Sequence, residues 1–306
     1  MRTPHNGRRG FTIVEILTAL VIIAIIGLAM TKLVLGQARS FQFDNGARRA
    51  RAAARSAMNI LITDLRMTQD DGGVSAVDAT NHRFVTVKVP TVFGFVCEIT
   101  GSGIVASLVA TDSFQLATSK YGGYAIRNAG TGIYSYTAAT SSDTIQSTGV
   151  GRCHGGTVNQ FADTATIAGR TGGVYVMSPA PAGVTVIGAP MFVWHEVKYE
   201  FKNSTIYPTG NRLGLYRTVA GRARSDTTTD ELIAPFTASA RFYYYTMNPY
   251  GAPRDSAVST PPANLNNIRG FRIFLPAESS DTMPTRNTPQ SATVSTAVFF
   301  KNTRFP

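Results

Sequence analysis

The stretch FTIVEILTALVIIAIIGLAMT, residues 11–31, decides the architecture of this chain of 306 residues. It carries one charge, at Glu15, and as a helix it would be about 31 Å long, which matches the hydrocarbon core of a bilayer. Arg2, Arg8 and Arg9 precede it, so we expect the amino end to stay in the cytoplasm and the rest of the chain to be exported. The sequence therefore predicts one membrane-spanning helix ahead of an exported region.

An ordinary signal peptide is the alternative interpretation of this stretch, because residues 27–29, Gly-Leu-Ala, offer a small-x-small cleavage site. However, the apolar run does not end in a polar cleavage region, and it continues through Lys32 into a further helical pattern. Glu15 also lies inside the apolar run, where a carboxylate is costly unless it is paired or close to the interface. A signal peptide gains nothing from such a residue, so a retained helix is favoured.

The net charge of +11 is concentrated at the amino end of the chain. Lysine and arginine exceed aspartate and glutamate by seven in residues 1–66, which leaves +4 for the other 240 residues. The excess therefore lies where membrane orientation is decided and is not spread over a globular surface. This distribution argues against a nucleic-acid-binding domain.

The segment RGFTIVE, residues 9–15, resembles the prepilin processing motif of type IV pilins and type II secretion pseudopilins. The resemblance implies that prepilin peptidase cleaves between Gly10 and Phe11 and that the new terminal Phe11 is N-methylated. It also implies that Glu15, the fifth residue of the mature chain, sets the register between subunits. Residues 1–10 would then be a leader peptide and residues 11–31 the transmembrane assembly helix.

Elementary electrostatics supports this role for Glu15. After cleavage Phe11 would begin the helix with a charged amine, and a carboxylate one turn along is favoured by the positive end of the helix dipole. In a membrane or a filament core, a carboxylate and an amine of adjacent subunits neutralise each other at low dielectric, and neither is well placed alone. The interaction therefore favours one axial stagger between neighbours.

A second, amphipathic part of the same helix is predicted for residues 32–71. One narrow apolar stripe recurs at spacings of three and four, formed by Ala47, Ala50, Ala54, Ala57, Leu61 and Leu65. Arginines fall on the other flank, at Arg48, Arg49, Arg51, Arg55 and Arg66. Residues 70–73, Asp-Asp-Gly-Gly, supply a stop in which a glycine can form the left-handed cap.

The arginine flank has two interpretations. A solvated or inter-subunit helix face is favoured for Arg48, Arg49, Arg51 and Arg55. Contact with DNA is the lesser alternative, because arginines can neutralise phosphates but nothing here supplies base readout.

Residues 74–306 have the composition of a β-rich exported head. Alternating runs predict strands, which we place at residues 84–89, 192–201, 213–218, 241–246, 271–275 and 294–300. The stretch 111–190 is poor in charge and rich in Gly, Ser, Thr and Ala, and we expect it to be a large insertion or subdomain of short strands and loops. The predicted class is α+β, the pilin fold, with the long helix packed on an antiparallel sheet.

Two cysteines, Cys97 and Cys153, lie in the region predicted to be exported. Two cysteines in a translocated domain indicate one disulfide, which would contribute roughly 4 kcal/mol by closing so long a loop. Two unrelated buried thiols are the alternative.

The order of segments after the insertion resembles a narrower group. Residues 196–200, EVKYE, followed by residues 213–217, LGLYR, are similar to a strand pair of PilW-like minor pilins and of J-type minor pseudopilins. The resemblance implies a minor subunit. The large head favours the pilus over the secretion pseudopilus, which stays the alternative.

The sequence predicts no catalytic residues, cofactor or metal site. The four histidines have no metal-ligand spacing, and no nucleophile elbow, Walker loop or dinucleotide fingerprint occurs. We therefore expect a structural protein: a minor pilin subunit, single-pass in the inner membrane with its head in the periplasm, that primes assembly near the filament tip. Its expected partners are prepilin peptidase, other major and minor pilins, the assembly platform and the membrane. A filament-displayed binder of DNA or surfaces is the alternative of another class.

Overall fold

The computed structural model describes residues 12–108, 110–118, 120–140, 143, 145–149, 173–181, 186–221, 224–246, 257–282 and 288–300. These residues form a long helix α1, a short helix α2 and a sheet of 13 strands in which every pairing is antiparallel. The predicted α+β class is confirmed. The elements are α1 (Ile13–Met67), β1 (Val74–Val77), β2 (Phe84–Thr100), β3 (Gly103–Leu108), α2 (Ala110–Thr118), β4 (Gly123–Arg127), β5 (Tyr134–Ala138), β6 (Ile145–Gly149), β7 (Gly173–Met177), β8 (Pro190–Asn203), β9 (Leu213–Gly221), β10 (Arg224–Phe236), β11 (Arg241–Thr246), β12 (Ile268–Thr282) and β13 (Pro289–Phe299).

Helix α1 has 55 residues and buries one stripe of its second half. The buried residues are Ala50, Ala54, Ala57, Met58, Leu61 and Leu65. They confirm the predicted stripe and add Met58, whereas Ala47 is only half-buried. This stripe packs under β10, β12, β13 and the first part of β2, and forms the proximal core with the apolar faces of those strands.

The end of α1 differs from the prediction. The helix ends at Met67, with Thr68 extended, and not at residue 71 with a glycine cap. The positive φ angles of Asp71 (58°) and Gly72 (119°) belong instead to the turn that leads into β1. Lys88 holds this turn by donating from Nζ to the Gly72 carbonyl at 2.9 Å, and a Cβ on Gly72 would lie 2.8 Å from the Tyr136 ring. Glycine is therefore required by the turn, not by the helix end.

The sheet is organised around two long strands, β2 and β8. They pair from Phe84↔Glu200 to Phe95↔Pro190, and each extends from the proximal half of the head into the distal half. In the proximal half the order is β1-β2-β8-β9-β10-β12. Strands β10 and β11 pair with different parts of one edge of β12, and β13 pairs with its other edge. In the distal half β2 continues to β3, β7 and β6, and β8 pairs with β4, which pairs with β5.

A second core fills the distal half. It contains Val92, Ile104, Tyr124 and Met191, and α2 adds Leu116. The helix α2 was missed in the sequence, where residues 111–190 read as short strands and loops only. The distal core also begins before residue 111, since Val92 and Ile104 belong to β2 and β3. Residues 150–172 and 182–185 of the stretch lie outside the described residues.

The predicted strands of the proximal half are all present, and most are longer than predicted. The run 84–89 is the start of a 17-residue strand, and the predicted 241–246 coincides with β11. Val85, Val87 and Val89 are buried on one face as expected. On β8, Trp194 is fully buried and its neighbour His195 is half-buried.

A partly buried polar contact joins α1 to the sheet. The Asp64 carboxylate accepts a hydrogen bond from the Tyr199 hydroxyl at 2.8 Å and pairs with Arg217 Nη2 at 2.9 Å. Tyr199 on β8 and Arg217 on β9 are directly opposite each other, and Tyr199 is fully buried. Burial and the Asp64 charge raise the pKa of the Tyr199 hydroxyl, which keeps it a donor. The contact fixes the rotation of α1 on the sheet.

We predict that Asp64→Asn destabilises the head by about 1–3 kcal/mol, because it removes the charge from both hydrogen bonds at little change in volume. The full chain in detergent micelles is unfolded with urea and followed by the fluorescence of Trp194, the single tryptophan and fully buried. Asp44→Asn, at an exposed position of the same helix, is the matched control. Equal midpoints for the two variants would contradict the structural role of Asp64.

A second prediction concerns pH. Burial, together with the nearby Arg217 and against the attraction of Asp64, lowers the pKa of His195 from 6.5 to about 4. The unfolded chain therefore binds this proton more readily than the folded chain does. The contribution of neutral His195 to the free energy of unfolding is complete above about pH 6.5 and is lost as the pH falls toward 4. We expect His195→Gln to reduce the loss of stability between pH 7 and pH 4 by up to about 3 kcal/mol. The same urea titration is run on both chains, and an equal pH dependence of wild type and His195→Gln would contradict this role of His195.

Candidate assembly interface

The first half of α1 is an uncovered apolar rod. Every residue from 12 to 44 is exposed, and the large apolar side chains between Ile13 and Leu35 are between 51% and 78% exposed. The helix is long and apolar enough to cross a membrane, and it is the one such helix in the described part of the chain. An apolar surface of this extent is unstable in water and must be covered by lipid or by other helices.

Glu15 lies in the first turn of this rod. Thr12 caps the helix, with its hydroxyl oxygen accepting from the Glu15 backbone N–H at 3.3 Å, and Thr18 donates to the Glu15 carbonyl at 3.0 Å. The next charged residue along the chain is Lys32, about 25 Å away along the helix. The helix itself therefore offers Glu15 no cation, and a cationic partner has to come from the amino terminus or from another chain. Gly10 and Phe11, the predicted cleavage and methylation sites, lie outside the described residues.

The cap at Thr12 was missed in the sequence analysis. The signal was present, because Thr12 and Glu15 have the spacing of a capping box, in which a threonine precedes a glutamate by three residues. Glu15 is thus placed at the third position of the helix by local chemistry. This position puts its carboxylate next to the positive end of the helix dipole.

A helical spacer separates the predicted membrane segment from the head. Residues 32–44 stay helical and exposed, and Phe41 and Phe43 add apolar side chains to this part. At Gly46 the helix lies against the head, since a Cβ there would be 3.2 Å from Gln290 Cγ. From Thr31 to Gly46 the helix rises about 22 Å. The neighbours of the apolar rod are therefore kept clear of this chain's own head.

The predicted arginine face is exposed in the structure. Arg48, Arg49, Arg51 and Arg55 are all exposed, and Arg48, Arg51 and Arg55 share one side of the helix at spacings of three and four. Asp44 lies one turn before Arg48 on the same side. The three arginines on this side form an exposed basic face whose role stays a prediction.

The remaining predicted site residues divide between two places. Cys97 is buried in β2, next to Val105 and Val174, whereas Cys153 lies outside the described residues, so their pairing stays a prediction. Within the described ranges no group of three His, Cys, Asp or Glu side chains could hold a metal ion. The residues that the structure presents for function are thus those of α1.

Comparison with known families agrees with this placement. Residues 5–31 match the family model described as the prokaryotic N-terminal methylation motif. Comparison with curated proteins and with solved structures gave no match. The motif implies processing by prepilin peptidase and assembly with other pilins, and with the apolar helix it is consistent with anchoring in the inner membrane. The motif at residues 5–31, followed by the long exposed helix and the antiparallel head, supports a type IV pilin-like protein.

Proposed function

We propose that the chain is a minor pilin of a type IV pilus, which primes filament assembly from a position near the tip. The observation that carries this proposal is the uncovered apolar helix of residues 12–31 with Glu15 in its first turn. The protein inserts in the inner membrane, loses its leader to prepilin peptidase and is passed to the assembly platform. Pilus formation then supports adhesion, twitching motility or DNA uptake.

The rod is better suited to a filament than to a simple anchor. An anchor needs apolar length only, and a carboxylate in its first turn lowers its stability in lipid. In a bundle of such helices, burial of the apolar side chains favours association, and Glu15 selects one stagger by meeting the amine of a neighbour. The spacer of residues 32–44 leaves room for those neighbouring helices beside the head.

The size of the head supports a minor subunit. The 13-stranded sheet has a distal core that α1 does not touch, stacked beyond the proximal core that α1 stabilises. A major subunit repeats at every step of the filament, so each head must fit between heads above and below it. A subunit at the end of a filament has neighbours on one axial side only, which leaves space for the distal half.

The first test is the mature amino terminus. We expect mass spectrometry of the protein purified from the producing cells to show a chain that begins at Phe11 with an added methyl group. The control is Gly10→Leu, which should keep residues 1–10 because a bulky side chain replaces the glycine of the motif. A wild-type chain that begins at Met1 or at Met30 would contradict the proposal.

The second test is the charge in the rod. Glu15→Ala should still be inserted and processed, but its incorporation into filaments should fall on the order of a hundredfold, because an amine in the bundle loses its partner at a cost of about 3 kcal/mol or more. Immunoblots of sheared filaments and of membranes give the ratio. Thr18→Ala, a change of similar size one turn further along, should be incorporated like the wild type. Normal incorporation of Glu15→Ala would refute the registration role.

A deletion experiment tests priming itself. Removal of this chain should lower the number of filaments per cell while the total amount of the major subunit in the membrane stays the same. Unchanged piliation in the deletion strain would exclude a priming role, and a loss of protein secretion with normal piliation would favour the pseudopilus instead.

A further inference from the structure

The last strand of the head, β13, has one edge without a partner. It pairs with β12 in a continuous antiparallel register from Gly270↔Phe299 to Glu278↔Ser291. No other strand in the described ranges pairs with its outer side. Strand β11, on the other side of β12, has a partner on its outer edge, because Tyr244 exchanges two backbone hydrogen bonds with Val258, at 2.8 and 2.9 Å.

Three hydrogen bonds establish which residues face outward. The N–H groups of Gln290 and Phe300 donate toward β12, to Ser279 Oγ and to the Arg269 carbonyl. On β12, the Pro276 carbonyl accepts from Thr237 on the side away from β13, so its partner Thr293 also turns away. Because backbone direction alternates along a strand, one set of residues presents N–H and C=O groups to the outside: Ser291, Thr293, Ser295, Ala297 and Phe299.

This edge has none of the usual protection against a further strand. Exposed edges are normally blunted by charges, prolines, bulges or short length. Residues 288–300 contain no charged side chain, the only proline is Pro289 at the first position of β13, and the strand has 11 residues. The other long strands of the proximal sheet, from β8 to β12, all contain charged residues. Among the long strands of the proximal sheet, β13 is therefore the one without a charged side chain.

The edge lies beside the assembly helix. Helix α1 packs against β13, from Gly46 next to Gln290 onward, and the inward side chains of Ala292 and Val294 are only half-buried against the proximal core. A strand added to β13 would cover the rest of these two side chains and continue the sheet along the flank of α1. A subunit anchored next to this one approaches on that flank.

We propose that the outer edge of β13 is a docking site for an extended, uncharged segment of a different subunit of the same filament. The docked segment adds one strand to the sheet through main-chain hydrogen bonds, as in other cases of β-strand addition. The β13 strand of a second copy, paired antiparallel about a two-fold axis, is not the occupant, because the two α1 helices would then run in opposite directions. The inference rests on the proposed function, since a filament supplies the neighbour.

The test is photo-crosslinking from the edge in the producing cells. Phe299 is 46% exposed and is replaced by p-benzoylphenylalanine; Phe93, 44% exposed in the distal half, carries the same probe as the control. We expect an adduct with another prepilin-type subunit from position 299 and none from position 93. Ala297→Pro removes an outward N–H and leaves the ladder to β12 intact, so it should reduce the adduct at least about tenfold, whereas Ala297→Ser, which keeps the N–H, should not.

Several results would overturn the docking site. These are an adduct of equal yield with Ala297→Pro, an adduct with a second copy of this chain, or equal adducts from positions 299 and 93. The urea midpoint of Ala297→Pro shows whether the head stays folded. If the midpoint falls, the experiment uses Thr293→Pro instead, which also removes an outward N–H. The wild-type protein in sheared filaments is scored in the same cells: its absence counts against the proposed function, and its presence without an edge-dependent adduct counts against the docking site alone.

Discussion

The structure depends on one constraint: the second half of α1 is covered by the sheet of its own chain, whereas the first half has to be covered by lipid or by other helices. The second half has a stripe of small residues, Ala50, Ala54 and Ala57, that lets the helix approach the sheet closely, and Leu61 and Leu65 complete the seal. Residues 12–31 of the first half are apolar on every side apart from Glu15, and they are exposed throughout the described part of the chain. The isolated molecule is therefore unfavourable in water, because its apolar helix is exposed. The free energy of burying the first half is gained only through contact with lipid or with other helices.

The contact between Asp64, Tyr199 and Arg217 connects this constraint to the head. Apolar stripes tolerate small rotations of a helix, whereas a carboxylate that meets a hydroxyl at 2.8 Å and a guanidinium at 2.9 Å does not. The rotation of α1 on the sheet sets the direction in which the Arg48 side and the β13 edge face. One partly buried carboxylate thus orients the surfaces that a neighbouring chain would contact.

Much of this arrangement is predictable from the sequence, because its signals are local. The apolar run, the alanine stripe and the alternation of Val85, Val87 and Val89 each depend on a period that a single element imposes. The failures have equally physical reasons. A glycine of residues 70–73 was expected to cap the helix, but Gly72 lies in the turn before β1, where a Cβ would meet the Tyr136 ring, 64 residues further along. The helix α2 is short, and its residue Leu116 matters only once β2, β3 and β8 form the distal core. The β13 edge is invisible in the sequence, since an unpaired side exists only relative to the strands around it.

The pairing of β2 with β8 has a consequence for a molecule that is pulled. Both strands cross the boundary between the proximal and distal halves, so the two halves are joined by covalent backbone at two points and by the ladder between them. Traction applied to the distal half, while α1 is held at the other end, loads that ladder in shear, with many hydrogen bonds sharing the force at once. No flexible linker has to yield first between the two cores. The head is therefore suited to transmit a pulling force from its distal half to α1 while both of its cores stay folded.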